Sequence, residues 1–267
     1  MNRDFPFLSV TTPCFNSEGT IERTLKSVLQ QDFNDYEYII IDGGSTDKTL
    51  EIIRKYEPLF NGRMRLFSEP DKGLYDAFNK GIIRSKGLYC WNINSDDFIE
   101  PNAFEMIYNF SKKYPIDNLP CIVGLMRFVS RDGSNTISIT KGVTPKSLAK
   151  AYRIDGMGLN HPATIVPRSM YAYVGLYDIR FRISADIDWF NRAYATEQYI
   201  VGINEILTNM ADGGVSNKGG NLGLAAKDRF LSFKKKYCHV PIAYFHLCIW
   251  RLRILKGQIC FFLNKHH

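Results

Sequence analysis

LYCWNINSDDFI, residues 88 to 99, sets an apolar run against the polar cluster Asn94-Ser95-Asp96-Asp97 and returns at once to apolar residues. The run has the character of a buried strand, and the cluster sits at its carboxyl end. Adjacent carboxylates in such a place are costly unless something positive neutralises them. A hard divalent cation does so, since carboxylates and a bound diphosphate are ligands that magnesium and manganese prefer. The competing reading is an acidic turn that caps the next helix near Pro101.

Working outward, strand and helix signals alternate through the first hundred residues. A strand is predicted over Phe7 to Pro13, followed by a helix with Ile21, Leu25, Val28 and Leu29 on one face, capped by Asn16 or Ser17. Tyr36 to Asp42 reads as a strand buried on both faces. Gly43-Gly44-Ser45 turns the chain, and Ser45, Thr46 and Asp47 offer capping oxygens to a helix over Thr49 to Tyr56. A third strand, Arg63 to Ser68, leads through the 69–73 loop to a helix bearing Leu74, Phe78 and Ile82. The fourth strand is Leu88 to Ile93. Single helices between strands imply parallel pairing with right-handed crossovers. Ligands of such sheets bind beyond the carboxyl ends of the strands, where Asp42, the 69–73 loop and Asn94 to Asp97 all fall.

The second half is mixed. A helix is predicted at Pro101 to Tyr114 and a hairpin from Cys121 to Val129 and Asn135 to Ile139 about the turn Arg131-Asp132-Gly133-Ser134. A short strand at Asn160 to Pro167, a helix at Ser184 to Thr196 and strands at Gln198 to Ile203 and Ile206 to Ala211 follow. Helices are expected beyond residue 226.

The 267 residues suit one large domain with an appendage, and 45% apolar with 23% charged residues is ordinary for a soluble globular chain. Six cysteines without a CxxC pair read as reduced thiols, and with no signal peptide or spanning apolar run the expected location is cytoplasmic. The net charge of +7 is concentrated at the end: residues 227 to 267 carry nine Lys/Arg and one acid, Asp228. A dinucleotide-binding turn needs GxGxxG after the first strand, but Thr11-Thr12-Pro13-Cys14-Phe15-Asn16 stands there; GxxxxGK[ST] is absent as well. What remains is a fold that holds a nucleotide diphosphate through a metal.

At this point the chain strongly resembles the family 2 glycosyltransferases, inverting nucleotide-sugar enzymes of the GT-A fold. The matching stretches are SVTTPCFNSEGTIERTLKSVLQQDF, YEYIIIDGGSTDKT, EPDKGLYDAFNKGI and NSDD, then NHPATIVPRSMYAYVGLYDIRFRISADIDW and DGGVS at 212 to 216. The resemblance implies an α/β, Rossmann-like GT-A domain with a mixed sheet over 1–225. Its nucleotide-binding half is 1–100, its acceptor-binding half 101–225, and a basic helical extension occupies 226–267.

The resemblance also implies roles. Pro13 and Asn16 shape the first nucleotide loop, and Asp42 accepts a hydrogen bond from the base; the alternative for Asp42 is a partner of the 43–47 turn. Asp71 and Lys72 lie where the family contacts base, ribose or phosphate, with a solvated loop lysine as the other reading of Lys72. Asn94, at the first position of the metal motif, faces the ribose, and Ser95 belongs with it to the nucleotide-sugar-binding set. Asp96 is the expected ligand of Mn2+ or Mg2+, with Asp97 second. Asp186 takes the place of the catalytic base, although Ala185 stands where the family often has Glu. Asp188, His161, Arg182 and Trp189 are candidates for the acceptor side, with helix-start and structural roles as competitors.

The expected reaction moves a hexose or N-acetylhexosamine from a UDP-sugar to a saccharide acceptor, commonly polyprenyl-diphosphate-linked, in bacterial surface polysaccharide assembly. The basic extension is expected either at the inner membrane surface or as a helical cap on the domain or a subunit contact. A sugar-phosphate nucleotidyltransferase is the alternative enzyme, but TTPCFNSEG lacks the Gly-rich basic loop it needs. A nucleic-acid binder lacks a basic stripe on the body, so no nucleic acid partner is expected. Oligomeric state has no sequence signal.

Overall fold

A computed structural model describes residues 5–151 and 159–213, together with Asp228 and Leu231. The apolar runs become the central strands β1 (Leu8–Cys14), β2 (Tyr36–Asp42), β3 (Met64–Ser68) and β4 (Tyr89–Asn92), with α1 (Ile21–Leu29), α2 (Thr49–Tyr56) and α3 (Leu74–Arg84) between them. After the two-residue β5 (Phe98–Ile99) come α4 (Ala103–Ser111), β6 (Cys121–Val129), β7 (Thr136–Ile139) and α5 (Pro145–Lys150). Then follow β8 (Thr164–Pro167), α6 (Arg168–Val174), α7 (Ala185–Ala195) and β9 (Ile200–Ala211).

The nine strands of the described residues share one sheet in the order β3-β2-β1-β4-β8-β6-β9-β5, with β7 paired to β6. The first four are mutually parallel, β8 is antiparallel to both β4 and β6, and β6 and β9 are parallel. The sheet is therefore mixed, as expected. Alternation along the strands divides two cores. Leu8, Val10, Tyr38, Tyr89, Trp91 and Ile122 face Leu25, Ile53 and Phe104 of α1, α2 and α4. Cys90, Cys121, Val123 and Val166 face Phe78, Tyr171, Trp189 and Phe190 on α3, α6 and α7. Cys14, Cys90 and Cys121 are buried free thiols, and burial pushes the Cys90 thiol up to about 12.

Three local expectations are corrected. Neither Asn16 nor Ser17 caps α1 with its side chain; Thr20 and Ile21 donate their N–H groups to the Ser17 carbonyl instead. Asn160 to Pro167 is half strand: His161 to Ala163 form a 3-10 turn, because Pro162 has no N–H to give to a ladder. The two strands expected at 198–211 are one, β9, whose register against β6 shifts between Val123 and Met126 so that polar Asn204 and Glu205 stay exposed. Among the described residues no helix is long and apolar enough to cross a membrane. Apart from Asp228 and Leu231, the 226–267 extension lies outside the described residues.

Candidate active site

The loops after β1, β2, β3 and β4 leave the same edge of the sheet and are tied to one another. Asn16, with φ 48°, accepts the Thr46 N–H on Oδ1 at 2.9 Å and gives its own N–H to Ser45 Oγ at 2.9 Å. Ser17 Oγ meets Ser95 Oγ at 2.9 Å. Arg23 Nη2 donates to the Asp96 carbonyl at 2.7 Å, and Thr24 Oγ1 reaches the carbonyls of Ser95 and Asp97. The first turns of α1 thus hold the acidic loop by its backbone and leave side chains of that loop for the cleft beyond it.

That cleft has a volume of 550 Å³, inside the span of roughly 300–1,000 Å³ usual for small-molecule sites. Pro13 to Ser17, Asp71, Leu74, Ala77 and Asn94 to Asp97 line one side, and Met210 to Gly213 with Arg131 complete it. Arg131 is the one basic residue among these, against Asp71, Asp96, Asp97 and Asp212.

Within the acidic loop the two aspartates differ. Asp97 is 1% exposed; its Oδ2 accepts from Asn94 Nδ2 at 2.8 Å and its Oδ1 from the Ala211 N–H at 3.2 Å. Burial, with neighbouring Asp96 second, pushes its carboxyl up to about 8. Both oxygens are thus engaged, one bracing the loop to the end of β9 and the other held within the loop, which argues against the second-ligand role expected for Asp97. Asp96 is only half-buried. Beside it Asn94 Oδ1 is buried without a hydrogen-bond partner in the structure, an orphaned acceptor of the kind that a cation or hydroxyl satisfies. No group of three or more His, Cys, Asp or Glu among the described residues could enclose a metal. The donor set fits a cation held by one carboxylate and by the ligand's own phosphate oxygens.

Asp42 also departs from expectation. It is fully buried, and its oxygens accept from the N–H groups of Gly44 and Ser45 and the hydroxyls of Ser45 and Ser68. It organises the turn after β2 and does not line the cleft. Asp71 does. Its Oδ1 accepts the Gly73 N–H at 2.7 Å, while its Oδ2 lies 2.4 Å from where a Cβ on Gly43 would stand, with the exposed ring of Phe15 3.5 Å from the same point. Gly43 is what lets this carboxylate lie over the β2 turn. Lys72 is exposed, and its backbone N–H donates to Asp76.

Asp186 stands in the first turn of α7, half-buried, where the helix dipole favours a carboxylate. It is not among the residues lining the cleft. The connection runs through α3: Leu74 lines the cleft, and the hydroxyl of the next residue, Tyr75, lies 2.9 Å from Asp186 Oδ1 and 2.7 Å from the Ile183 carbonyl. Burial, then the charge of Asp186, raises the Tyr75 hydroxyl well above its usual range, so it acts as a neutral donor. His161, among the rings of Phe78, Tyr177 and Phe190, meets the Tyr177 hydroxyl through Nε2 at 3.0 Å, and burial lowers its pKa. Asp188 and Trp189, expected near the acceptor, belong to the core. Asp188 is 3% exposed and pairs with Arg192 at 2.9 Å; Trp189 is fully buried and donates its indole N–H to the Gly175 carbonyl. Arg182 is exposed. Sequence reasoning missed Tyr75, Arg23 and Thr24, since nothing in one sequence pairs residue 75 with 186 or residue 23 with 96. The exposed aromatic Phe15 was a signal within its reach.

A parallel four-stranded first half, an acidic loop at the end of β4 and a mixed second half together define an α/β domain of GT-A type. Residues 9–153 match the family model Glycosyl transferase family 2. The chain belongs to that family and is a glycosyltransferase. It is 35% identical over 191 residues to an uncharacterized glycosyltransferase of Mycobacterium tuberculosis, covering 70% of this chain and 69% of that protein. To the PGL/p-HBAD biosynthesis glycosyltransferase of Mycobacterium bovis it is 23% identical over 79% of this chain and 80% of the relative. To the Pasteurella multocida hyaluronan synthase it is 28% identical over 90% of this chain, which spans only 24% of that synthase. Among solved structures, S. aureus TarS 1-349 in complex with UDP-GlcNAc superposes with a TM-score of 0.66 at 18% identity, over 85% of this chain and 66% of that one. The Pyrobaculum calidifontis mannosyltransferase PcManGT, in complex with GDP-Man and Mn2+, gives 0.59 at 14% identity, over 92% and 69%.

Proposed function

We propose that this glycosyltransferase moves a hexose or N-acetylhexosamine from a UDP-sugar, with inversion, onto a saccharide acceptor in surface polysaccharide synthesis. The observation that carries this reading is the acidic cleft, with Asp71 and Phe15 at one place on its wall and Asn94 and Asp96 at another. Phe15 offers a face for base stacking, and Asp71 Oδ2 is an acceptor for a ring N–H of the kind uracil presents. Asn94 Oδ1 and Ser95 suit ribose hydroxyls. A UDP-GlcNAc complex of a structural neighbour and the named products of the synthase relative are in keeping with this donor class and pathway.

Asp96 would hold Mn2+ or Mg2+, and such a cation supplies charge neutralisation to the departing diphosphate. Neighbours crystallised with Mn2+ favour that ion. Asp186 takes the proton from the acceptor hydroxyl as its oxygen attacks the anomeric carbon, with Tyr75 fixing the orientation of the carboxylate. His161 and Arg182 belong to the acceptor side of this reading. A polyprenyl-diphosphate-linked acceptor and contact of the basic 226–267 extension with the membrane surface complete the proposal.

The test is a panel of nucleotide sugars screened with Mn2+ for thermal stabilisation and UDP release. UDP-sugars are expected to stabilise the protein and to release UDP in the presence of acceptor. Asp186→Asn should abolish transfer with UDP affinity retained, and Asp96→Ala should weaken Mn2+-dependent UDP binding. Normal turnover of Asp186→Asn, or release of inorganic diphosphate instead of UDP, defeats the proposal.

A further inference from the structure

Helix α7 carries Asp186 in its first turn, yet Ser184, its N-cap, makes no side-chain cap. Something else must fix the start of this helix, because a proton acceptor misplaced by an ångström loses most of its value. The fixing group comes from outside the residues that resemble the family. Asp228 Oδ2 accepts the Ile183 N–H at 2.8 Å and lies 3.4 Å from the Ser184 N–H. Asp228 is 5% exposed, and a carboxylate on so buried a residue is costly unless hydrogen bonds hold it in place.

Ile183 is therefore gripped at both ends of its backbone. Asp228 takes its N–H, and its C=O shares the single Tyr75 hydroxyl proton with Asp186 Oδ1. The grip brings together α3, α7 and a residue 45 positions further along the chain. The geometry points to Asp228 as a positioning residue for Asp186, which makes this residue, beyond the stretches that resemble the family, part of the catalytic unit. This rests on the reading of Asp186 as the base.

The experiment uses the full chain and four proteins: wild type, Asp186→Asn, Asp228→Ala and Asp228→Asn. For each, kcat and the donor KM are taken from UDP release, UDP affinity from calorimetry with Mn2+, and stability from thermal unfolding. Asp228→Ala should lower kcat by about ten-fold, the scale of one charge-assisted hydrogen bond, with donor KM and UDP affinity unchanged. Asp228→Asn keeps an oxygen for the Ile183 N–H and should recover most of that loss. If Asp228→Ala does not fold, Asp228→Glu retains the charge but sets it one methylene further out; it should lower kcat alone. Wild-type kcat in Asp228→Ala or Asp228→Glu, or a fall in kcat matched by UDP affinity, overturns the inference while Asp186→Asn is inactive. Normal turnover of Asp186→Asn defeats the underlying reading instead.

Discussion

Replacing Tyr75 with Phe isolates one hydroxyl. The ring, which packs against Tyr177 at 5.4 Å and Phe78 at 6.2 Å between centroids, is retained, so the core on this face of the sheet is preserved. What goes is the donor lying 2.9 Å from Asp186 Oδ1 and 2.7 Å from the Ile183 carbonyl. A hydrogen bond to a charged group contributes about 1.5–3 kcal/mol. Asp186 is half-buried, so water replaces part of the loss and the lower half of that range, about 1.5–2 kcal/mol, applies. If the whole of it falls on the orientation of the base, kcat drops roughly 10- to 30-fold. Steady-state UDP release at saturating donor and acceptor measures kcat, and calorimetry with Mn2+ measures UDP affinity, which should not move. A kcat within about two-fold of wild type, while Asp186→Asn is inactive, refutes the positioning argument. So does an equal loss of UDP affinity, since that would mean the cleft itself had been disturbed.

Gly43→Ala would bring a methyl within 2.4 Å of Asp71 Oδ2 and force the carboxylate off its hydrogen bond from Gly73. The expected cost in UDP affinity is about 1–3 kcal/mol, or roughly 5- to 150-fold, and unchanged calorimetric affinity counts against Asp71 as the base-facing acid. Phe15→Ala removes an exposed ring that packs little in the free protein. Its melting temperature should hold while uridine-nucleotide binding weakens by about 1–3 kcal/mol, whereas equal UDP affinity in the two proteins excludes stacking. For His161, burial lowers the folded-state pKa, so the unfolded chain binds the extra proton first as pH falls. Its contribution to stability is fully present above about pH 6.5 and is lost as the pH drops through the folded-state value. Denaturant titrations at several pH values should show a shallower acid loss in His161→Gln, and parallel curves for the two proteins refute the assignment.

Much of the first half was legible because its elements are local. The apolar run of β2 and the periodicity of α1 mark both elements from end to end, since a strand buried on both faces and an amphipathic helix each write their burial into consecutive residues. The second half was less so. Whether 198–211 is one strand or two depends on how β9 accommodates a register shift against β6, a property of the pair. At the site, residue types carried the chemistry but not its direction. Asp42 and Asp71 are both carboxylates near strand ends; the β2 turn encloses one, and Gly43 leaves room for the other.

The sequence by itself determined the family, the parallel strands of the first half and the acidic loop after β4, because these follow from local patterning and from ordered motifs. Only the tertiary structure divided the work within NSDD, turning Asp97 inward to brace β9 and leaving Asp96 half-buried beside an unpartnered Asn94 oxygen. It also withdrew Asp188 and Trp189 into the core and joined Tyr75 and Asp228 to the start of the Asp186 helix. The physical reason is the same in each case. Burial and hydrogen-bond partnership are properties of groups brought together from distant positions, and a linear pattern records only what each residue can do.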